Sequence, residues 1–144
     1  MTCIEYEINV EGLDPAPQGS KIRTRFGMRE ACKRVKPWKA AVQAAAKKLR
    51  QPTIQSACKV LIEFRMSRPK SHFTAAGHRS STYREHYTIK RNDIDKCIRS
   101  TLDGLTGVAY EDDCQVVCLI VDQRYCYKGE PPGAYVSIRE MHVL

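Results

Sequence analysis

Residues 90–123 read KRNDIDKCIRSTLDGLTGVAYEDDCQVVCLIVDQ, and this stretch predicts a helix followed by a strand. Apolar side chains recur at helical spacing over residues 93–105, and Gly107 marks the end of that helix. The apolar face of the helix consists of Ile94, Ile98, Leu102 and Leu105. Residues 115–125 are nearly continuously apolar, which is typical of a strand that is buried on both faces of a sheet.

The same stretch concentrates negative charge in a chain whose net charge is +8. Six acids lie in residues 93–113 beside only two bases: Asp93, Asp95, Asp103, Glu111, Asp112 and Asp113. Carboxylates this close repel one another unless a cation lies among them, and hard oxygen ligands suit Mg²⁺. The pattern matches neither an EF-hand loop nor a glycine-rich phosphate loop. It predicts acids from a helix start and a strand start that converge on one or two Mg²⁺ ions, the arrangement that hydrolyses phosphodiesters.

Simpler roles stay open for some of these acids. Asp93 and Asp95 lie at the predicted start of the helix, where carboxylates cap the first turn and complement the helix dipole. Asp103 lies four residues after Arg99 and can pair with it on the helix surface. Neither role accounts for the two aspartates that precede the predicted strand.

Length and composition indicate one domain over residues 1–144. The chain is 42% hydrophobic and 28% charged, which is typical of a globular protein. Its pI of about 9.2 indicates a nucleic-acid partner. Because no segment is predicted to span a membrane or to act as a signal sequence, we expect a soluble cytoplasmic protein with no membrane partner.

The seven cysteines include no Cys-x-x-Cys pair. Most lie in apolar patterns, where cysteine packs as a small hydrophobic residue. A zinc site at Cys114 and Cys118 with a distant histidine is the alternative, but its spacing is poor. We expect seven reduced thiols.

The remaining segments predict a fold of the α/β (α+β) class, with a small mixed β-sheet and two main helices. Alternating apolar residues predict strands over residues 4–10, 58–66 and 135–143. The first helix is predicted to begin at Pro37, to be favoured by its alanines and to stop before Pro52. Residues 12–19 predict a loop, and residues 21–32 a short basic hairpin.

A long segment over residues 68–91 has no periodicity and carries six Lys or Arg against one acid. A segment of this length is a solvated charged loop, a mobile loop or a functional one, and its charge favours a contact with nucleic acid. The residues predicted to contact DNA lie in this segment, in the basic hairpin and at the helix start: Lys21, Arg23, Arg25, Lys70, Arg79, Arg84, Lys90, Arg91 and Lys96.

The motifs of the 90–123 stretch resemble those of the RusA family of Holliday junction resolvases. Asp93-Ile94-Asp95 matches the family's Asp-x-Asp, and residues 102–105 match its Leu-Asp-x-Leu within a helix. Residues 107–116 match its pattern of glycine, aromatic residue, Asp-Asp and Gln-Val. Residues 17–19 (PQG) and 36–38 (KPW) are similar to phage-encoded members.

This resemblance implies a homodimer that resolves four-way DNA junctions by paired, Mg²⁺-dependent nicking in recombination and repair, with Mn²⁺ as a substitute ion. The family's catalytic and metal-binding aspartates map onto Asp93, Asp95 and Asp113, with Asp112 as an additional acid. Its catalytic basic residue maps onto Arg99, where junction-resolving relatives carry lysine. Arginine keeps the charge but not the compact ammonium group.

Other expectations and alternatives follow from the same resemblance. The host is a bacterial or phage-infected cell, and the dimer contact lies at a strand edge or at the helix that carries Trp38. Asn92 stands where proline is common in phage members. Two alternative functions are a branched-DNA-binding protein that has lost catalysis and a metal-dependent nuclease that cuts flaps or other branched DNA.

Overall fold

The computed structural model describes residues 3–19, 21–30 and 32–142. Its strands are β1 (Glu5–Glu11), β2 (Lys21–Thr24), β3 (Gly27–Glu30), β4 (Cys58–Met66), β5 (Val116–Tyr125) and β6 (Gly133–Glu140). Its helices are α1 (Val35–Lys48) and α2 (Ile94–Leu105), and 3-10 turns span Lys70–His72 and Asp113–Gln115. A mixed four-stranded sheet and two main helices are therefore present, as the sequence predicts.

The sheet has the strand order β1-β6-β4-β5, and β2 pairs with β3 in a separate hairpin. Among the described strand pairs, β4 and β5 are the parallel one, and α2 lies between them in the chain. In register across the sheet, Tyr6 pairs with Ile138, and Ile138 pairs with Val60. These side chains are fully buried, so one face of the sheet forms the core.

One close approach fixes the pairing of β1 with β6. Gly133 has a φ of +151°, and a Cβ atom built there collides with the carbonyl oxygen of Val10. Only glycine allows the two strands to approach this closely.

The two helices pack against each other through small and aromatic residues. Trp38 is buried on α1, and its indole nitrogen donates to Thr101 Oγ1 on α2 at 3.1 Å. Gly104 lies where a Cβ atom would come within 3.1 Å of the Lys39 carbonyl oxygen. The helix α1 begins at Val35, two residues before the predicted start, and Pro37 fits its first turn because no intrahelical N–H bond is needed there.

The prediction that β5 is buried on both faces is wrong. Within the described part of the chain, β4 is the only strand that pairs with β5, so β5 forms an edge of the sheet. The 85–87 segment adds bonds only at the C-terminal end of β5, where the Tyr125 amide donates to the Glu85 carbonyl oxygen at 3.0 Å and His86 bridges to Arg124. Val117 is 62% exposed, and Leu119 and Ile120 are also exposed. A continuous apolar run indicates burial only where neighbouring elements cover both faces, and here they do not.

Smaller differences concern the ends of elements. The turn of the basic hairpin is formed by Arg25 and Phe26, and Gly27 already begins β3. The last strand ends at Glu140, and Val143 lies outside the described residues. None of the described helices has the length and apolar character that a membrane crossing requires.

Candidate functional site

Asp93 and Asp95 lie at the N-terminal end of α2. Asp93 is the N-cap residue, and its backbone carbonyl accepts from the Cys97 amide at 3.0 Å. Its side chain makes no capping hydrogen bond and instead lies 3.8 Å from Lys96 Nζ. Asp95 is exposed in the first turn. The capping alternative therefore does not occupy the Asp93 carboxylate, and both carboxylates are open to solvent.

The residue before Asp93 holds this end of the helix in place. Asn92 has a φ of +62°, in the left-handed region that asparagine tolerates better than most residues. Its Oδ1 accepts from Arg34 Nη2 at 2.6 Å, and its Nδ2 donates to Tyr87 Oη at 3.1 Å. Its carbonyl oxygen accepts from Gln123 Nε2 at 2.8 Å. Side chains from three different parts of the chain thus fix the peptide that carries Asp93, a role that sequence reasoning missed.

Asp112 and Asp113 lie on the 3-10 turn that leads into β5. Asp112 accepts from the Cys114 amide at 2.9 Å, and Gln115 Oε1 accepts from the Asp112 amide at 3.0 Å. This capping box gives Asp112 a local structural role. Reduced hydration and the neighbouring Asp112 carboxylate raise the pKa of Asp113, whereas the bond from Cys114 lowers the pKa of Asp112.

The structure does not gather the three predicted metal-binding aspartates into one group. Among residues 3–19, 21–30 and 32–142, no three His, Cys, Asp or Glu side chains are placed to hold a metal ion. Asp93 and Asp95 lie at one end of α2, whereas Asp103, near its other end, contributes to the raised pKa of Asp113. A helix of this length spans about 18 Å. That Asp113 joins Asp93 and Asp95 at one metal site therefore stays a prediction.

Arg99 lies one turn after Asp95 and is exposed. The alternative pairing of Arg99 with Asp103 is not formed. Asp103 instead accepts from Gln18 Nε2 at 2.6 Å and lies 3.7 Å from Lys39 Nζ. Among the described side chains Arg99 has no ion-pair partner, so its guanidinium is available to a phosphate.

The comparison with known families decides what kind of protein carries this site. The family model described as Endodeoxyribonuclease RusA matches residues 14–139, which is most of the chain. The chain belongs to the RusA endodeoxyribonuclease family. No curated protein gave a significant match.

The predicted DNA-contacting cations of this RusA-family chain are largely solvent-exposed. Eight of the nine are exposed and Lys96 is half-buried; the exposed residues are Lys21, Arg23, Arg25, Lys70, Arg79, Arg84, Lys90 and Arg91. They lie on the β2–β3 hairpin and in the segment that leads to Asp93. A cationic surface thus adjoins the exposed acids at the start of α2.

The 68–91 segment of the RusA-family chain is ordered around Arg68, which the sequence did not single out. The Arg68 guanidinium lies 4.0 Å from the ring centre of Tyr83 and 5.1 Å from that of Tyr125. Its Nη1 lies 3.0 Å from Nδ1 of His72, which is buried. Burial and the positive charge of Arg68 lower the pKa of His72, so the neutral ring accepts this hydrogen bond. The aromatic residues of this segment were the feature of the sequence that could have indicated such an ordered cluster.

The hairpin exposes apolar as well as basic side chains. Phe26 at its tip is 87% exposed, and the Arg25 guanidinium lies 4.8 Å from the centre of its ring. Ile22 and Met28 are exposed too. The predicted alternation of a basic and an apolar face is therefore present in sequence, but neither face is buried.

The cysteines of this family member are consistent with reduced thiols. All seven are free, and Cys114 is exposed whereas Cys118 is half-buried. No metal-binding group that includes them is present in the described residues, so the zinc alternative has no structural support.

Proposed function

We propose that the protein is a Mg²⁺-dependent endodeoxyribonuclease whose preferred substrate is branched DNA, above all the four-way junction, and that residues 1–144 act as one domain. One observation carries the proposal: in a RusA-family chain, the exposed Asp93–Asp95 pair stands on a peptide fixed by Asn92 and beside an open cationic surface. The biological role that fits this activity is the processing of branched DNA in recombination and repair.

The donor set at the start of α2 suits the metal. Mg²⁺ in nucleases is usually held by one or two carboxylates, and waters and substrate phosphates complete its octahedral shell. Asp93 and Asp95 supply such a pair, and Mn²⁺ is expected to substitute. A metal ion held by these two carboxylates would supply Lewis-acid polarisation of the phosphodiester and would make an attacking water more acidic.

The chain's own residues then bind and orient the DNA. Lys96 and Arg99 lie on the first turns of α2 and attract the phosphate that the acids alone repel. We propose that Arg99 contacts the scissile phosphate and stabilises the charge that develops on it, for which its fork of donors is suited. We propose Asp113 as the third acid of the site, as the family motif implies.

The DNA-contacting surface combines the hairpin with the 68–91 segment. Both carry exposed arginines and lysines, and Lys90 and Arg91 extend this surface to the position of Asp93. Neutralisation of phosphates by these cations supplies most of the affinity and makes binding depend on salt.

A homodimer supplies two equivalent sites for a two-fold symmetric junction. The free edge of β5 is the surface that we propose for the contact, because Val117, Leu119 and Ile120 are exposed there beside unpaired backbone groups. The Trp38 side chain is buried against α2, so a contact through α1 would use the exposed residues of that helix instead.

The dimer contact is tested by sedimentation at micromolar concentration. The wild-type chain is expected to sediment as a dimer, and Ile120→Glu as a monomer, because two such carboxylates would be buried opposite each other. Met141→Glu is the matched control at an exposed apolar residue outside β5. A wild-type monomer, both free and on DNA, would remove the mechanism for paired cutting.

The activity is tested on a synthetic four-way junction beside a flap, a linear duplex and a single strand, with Mg²⁺ and with EDTA. We expect paired nicks in the junction that require Mg²⁺. Cutting of the flap instead would identify a different branched substrate.

A branched-DNA-binding protein without catalysis is the second candidate function. The observation that favours it is that no three His, Cys, Asp or Glu side chains among the described residues are placed to hold a metal ion. Tight junction binding with no cleavage in Mg²⁺ or Mn²⁺ would establish this alternative.

A further inference from the structure

A cavity of about 390 Å³ opens beside Asn92, between the end of β4 and the 87–91 segment. Its apolar walls include Met66, Tyr87, Ile89 and Tyr125, and Arg91 lies at the same cavity. Nothing in the proposed hydrolysis uses it. The volume falls within the range of about 300–1,000 Å³ that small-molecule sites occupy.

We propose that this cavity binds one unstacked nucleotide of the DNA strand that enters the active site. The proposal rests on the proposed function, because it names a feature of the substrate at the same site. The base occupies the aromatic and aliphatic part, and the cationic residues receive its phosphate.

The walls suit a nucleobase. The Tyr87 ring lies 5.1 Å from that of Tyr125 and is tilted by 58°. The Tyr87 hydroxyl donates to the Arg91 carbonyl oxygen at 2.9 Å and accepts from Asn92 Nδ2, which fixes the orientation of the ring. Ile89 is 48% exposed, although it is a large apolar residue. A fixed aromatic ring beside an open apolar side chain is a stacking platform that accepts any base.

The charges suit a phosphate at the rim. Arg34 and Arg91 both line the cavity and are exposed. Asp14 is the one acid among the lining residues, and its two carboxylate oxygens already accept from the Ser67 amide at 2.6 Å and the Ser67 hydroxyl at 2.7 Å. The two cations outnumber the acid, which is engaged with Ser67. Because Arg34 already donates to Asn92, Arg91 is the cation that we expect to receive the phosphate.

The position of the cavity links it to the proposed chemistry. Asn92 lines this cavity and also a neighbouring one of about 180 Å³, which contains Asp93 and Lys96. A nucleotide in the larger cavity thus places an adjoining phosphodiester at the smaller one. Unstacking is least costly near a junction crossover, where base pairs are already weakened.

The experiment measures the coupling between the cavity and individual bases. Dissociation constants are measured in EDTA, so that no strand is cut, for the wild-type chain and for Ile89→Ala on four-way junctions that lack one base at a time near the crossover. Leu49→Ala is the matched control, because Leu49 is 39% exposed and lies outside the cavity.

On intact DNA, Ile89→Ala is expected to weaken binding by about fivefold or more, in the range of base stacking on a protein side chain. When the base that occupies the cavity is missing, the dissociation constant of Ile89→Ala divided by that of the wild type should return to about one. At every other position the ratio should stay at its value for intact DNA. Leu49→Ala should bind all substrates like the wild type.

A second variant guards against an indirect effect of the first. Ile89→Phe fills the cavity and is expected to weaken binding to DNA that carries the base at this position. The weakening should disappear on the junction that lacks the same base. Ratios that are equal at all positions, or a wild-type affinity for Ile89→Ala, would overturn the cavity proposal while junction cleavage remains intact. Failure of the wild-type chain to bind or cut any branched DNA would instead overturn the proposed function.

Discussion

The two pairs of aspartates that flank α2 look alike in sequence and differ in structure. Asp93 and Asp95 keep their carboxylates in solvent, while the neighbouring Asn92 is held by Arg34, Tyr87 and Gln123. At the other end, Asp112 uses its own side chain to cap the turn that contains Asp113. The first pair is thus supported by other residues and is free to bind, whereas the second is engaged partly in its own local fold.

The largest expected effect is the loss of cleavage when one acid of the free pair is changed. Asp93→Asn should reduce the rate of junction cleavage by about a thousandfold, because a metal ligand supplies several kcal/mol of transition-state stabilisation. Asp112→Asn is the matched change at the other end, and it should stay close to the wild-type rate because the amide oxygen can still accept from Cys114. Single-turnover cleavage in Mg²⁺ measures both, with junction binding in EDTA as the control for folding. Equal losses at the two positions would remove the distinction between the pairs.

The next effect concerns the support of the free pair. Asn92→Ala removes the side-chain bonds and strains the left-handed backbone, and we expect a loss of about a hundredfold in the cleavage rate because the Asp93 carboxylate is misplaced. Asn92→Gly loses the same bonds but tolerates the conformation, so its loss should be smaller. The rate at saturating protein and the dissociation constant are measured separately, since a misplaced carboxylate lowers the rate and not the affinity. If the two variants were equally impaired, the backbone conformation would not matter.

A smaller effect is expected from the cations near the free pair. Replacement of Arg79, Arg84 and Arg91 by glutamine should reduce the slope of log affinity against log salt by about 0.9 for each phosphate that the protein no longer neutralises. The matched control replaces the exposed cations at the end of α1, which are Lys47, Lys48 and Arg50. Fluorescence anisotropy on a labelled junction over a range of salt concentrations gives both slopes. An unchanged slope in the variant that lacks Arg79, Arg84 and Arg91 would show that the DNA contacts a different surface.

The smallest effect is on stability and has opposite signs for the two residues of the second pair. The folded-state pKa of Asp112 is lowered, so Asp112 stabilises the fold above its unfolded pKa, and this contribution is lost as the pH falls through the folded value. The folded-state pKa of Asp113 is raised, so its ionised form costs stability at neutral pH and not in acid. Asp112→Ala should therefore lower the melting temperature at pH 7 and Asp113→Asn should raise it. Both differences in melting temperature from the wild type should shrink when the thermal melts are repeated near pH 3. Differences of the same size at pH 7 and near pH 3 would contradict the opposite pKa shifts of Asp112 and Asp113.

Local patterns predicted most of the fold. Helical spacing over residues 93–105 and strict alternation over residues 4–10 identified α2 and β1, because each pattern reports which face of a single element is buried. The apolar run of β5 led to the wrong prediction that both of its faces are buried. Whether a face is covered depends on elements that are distant in sequence. The same reason explains why Arg68 was not singled out: its partner Tyr125 is remote in sequence, and the contact with Tyr83 depends on how the 68–91 segment folds.

The candidate site was predicted in composition but not in arrangement. The sequence identified Asp93 and Asp95 as a motif, and the structure places them together at a helix start. Whether Asp113 joins them depends on how the turn before β5 lies relative to the start of α2, which no local pattern contains. The left-handed conformation of Asn92 depends on three hydrogen-bond partners, which no local pattern contains.

The open edge of β5 has a consequence for the behaviour of the newly made chain. A flat apolar strand with unpaired amide and carbonyl groups is a template on which further strands can add, and charged or proline residues that would discourage such addition are absent from residues 116–121. Newly made copies are therefore most vulnerable while this edge has no partner. A short peptide that pairs with this edge would protect the chain against such addition.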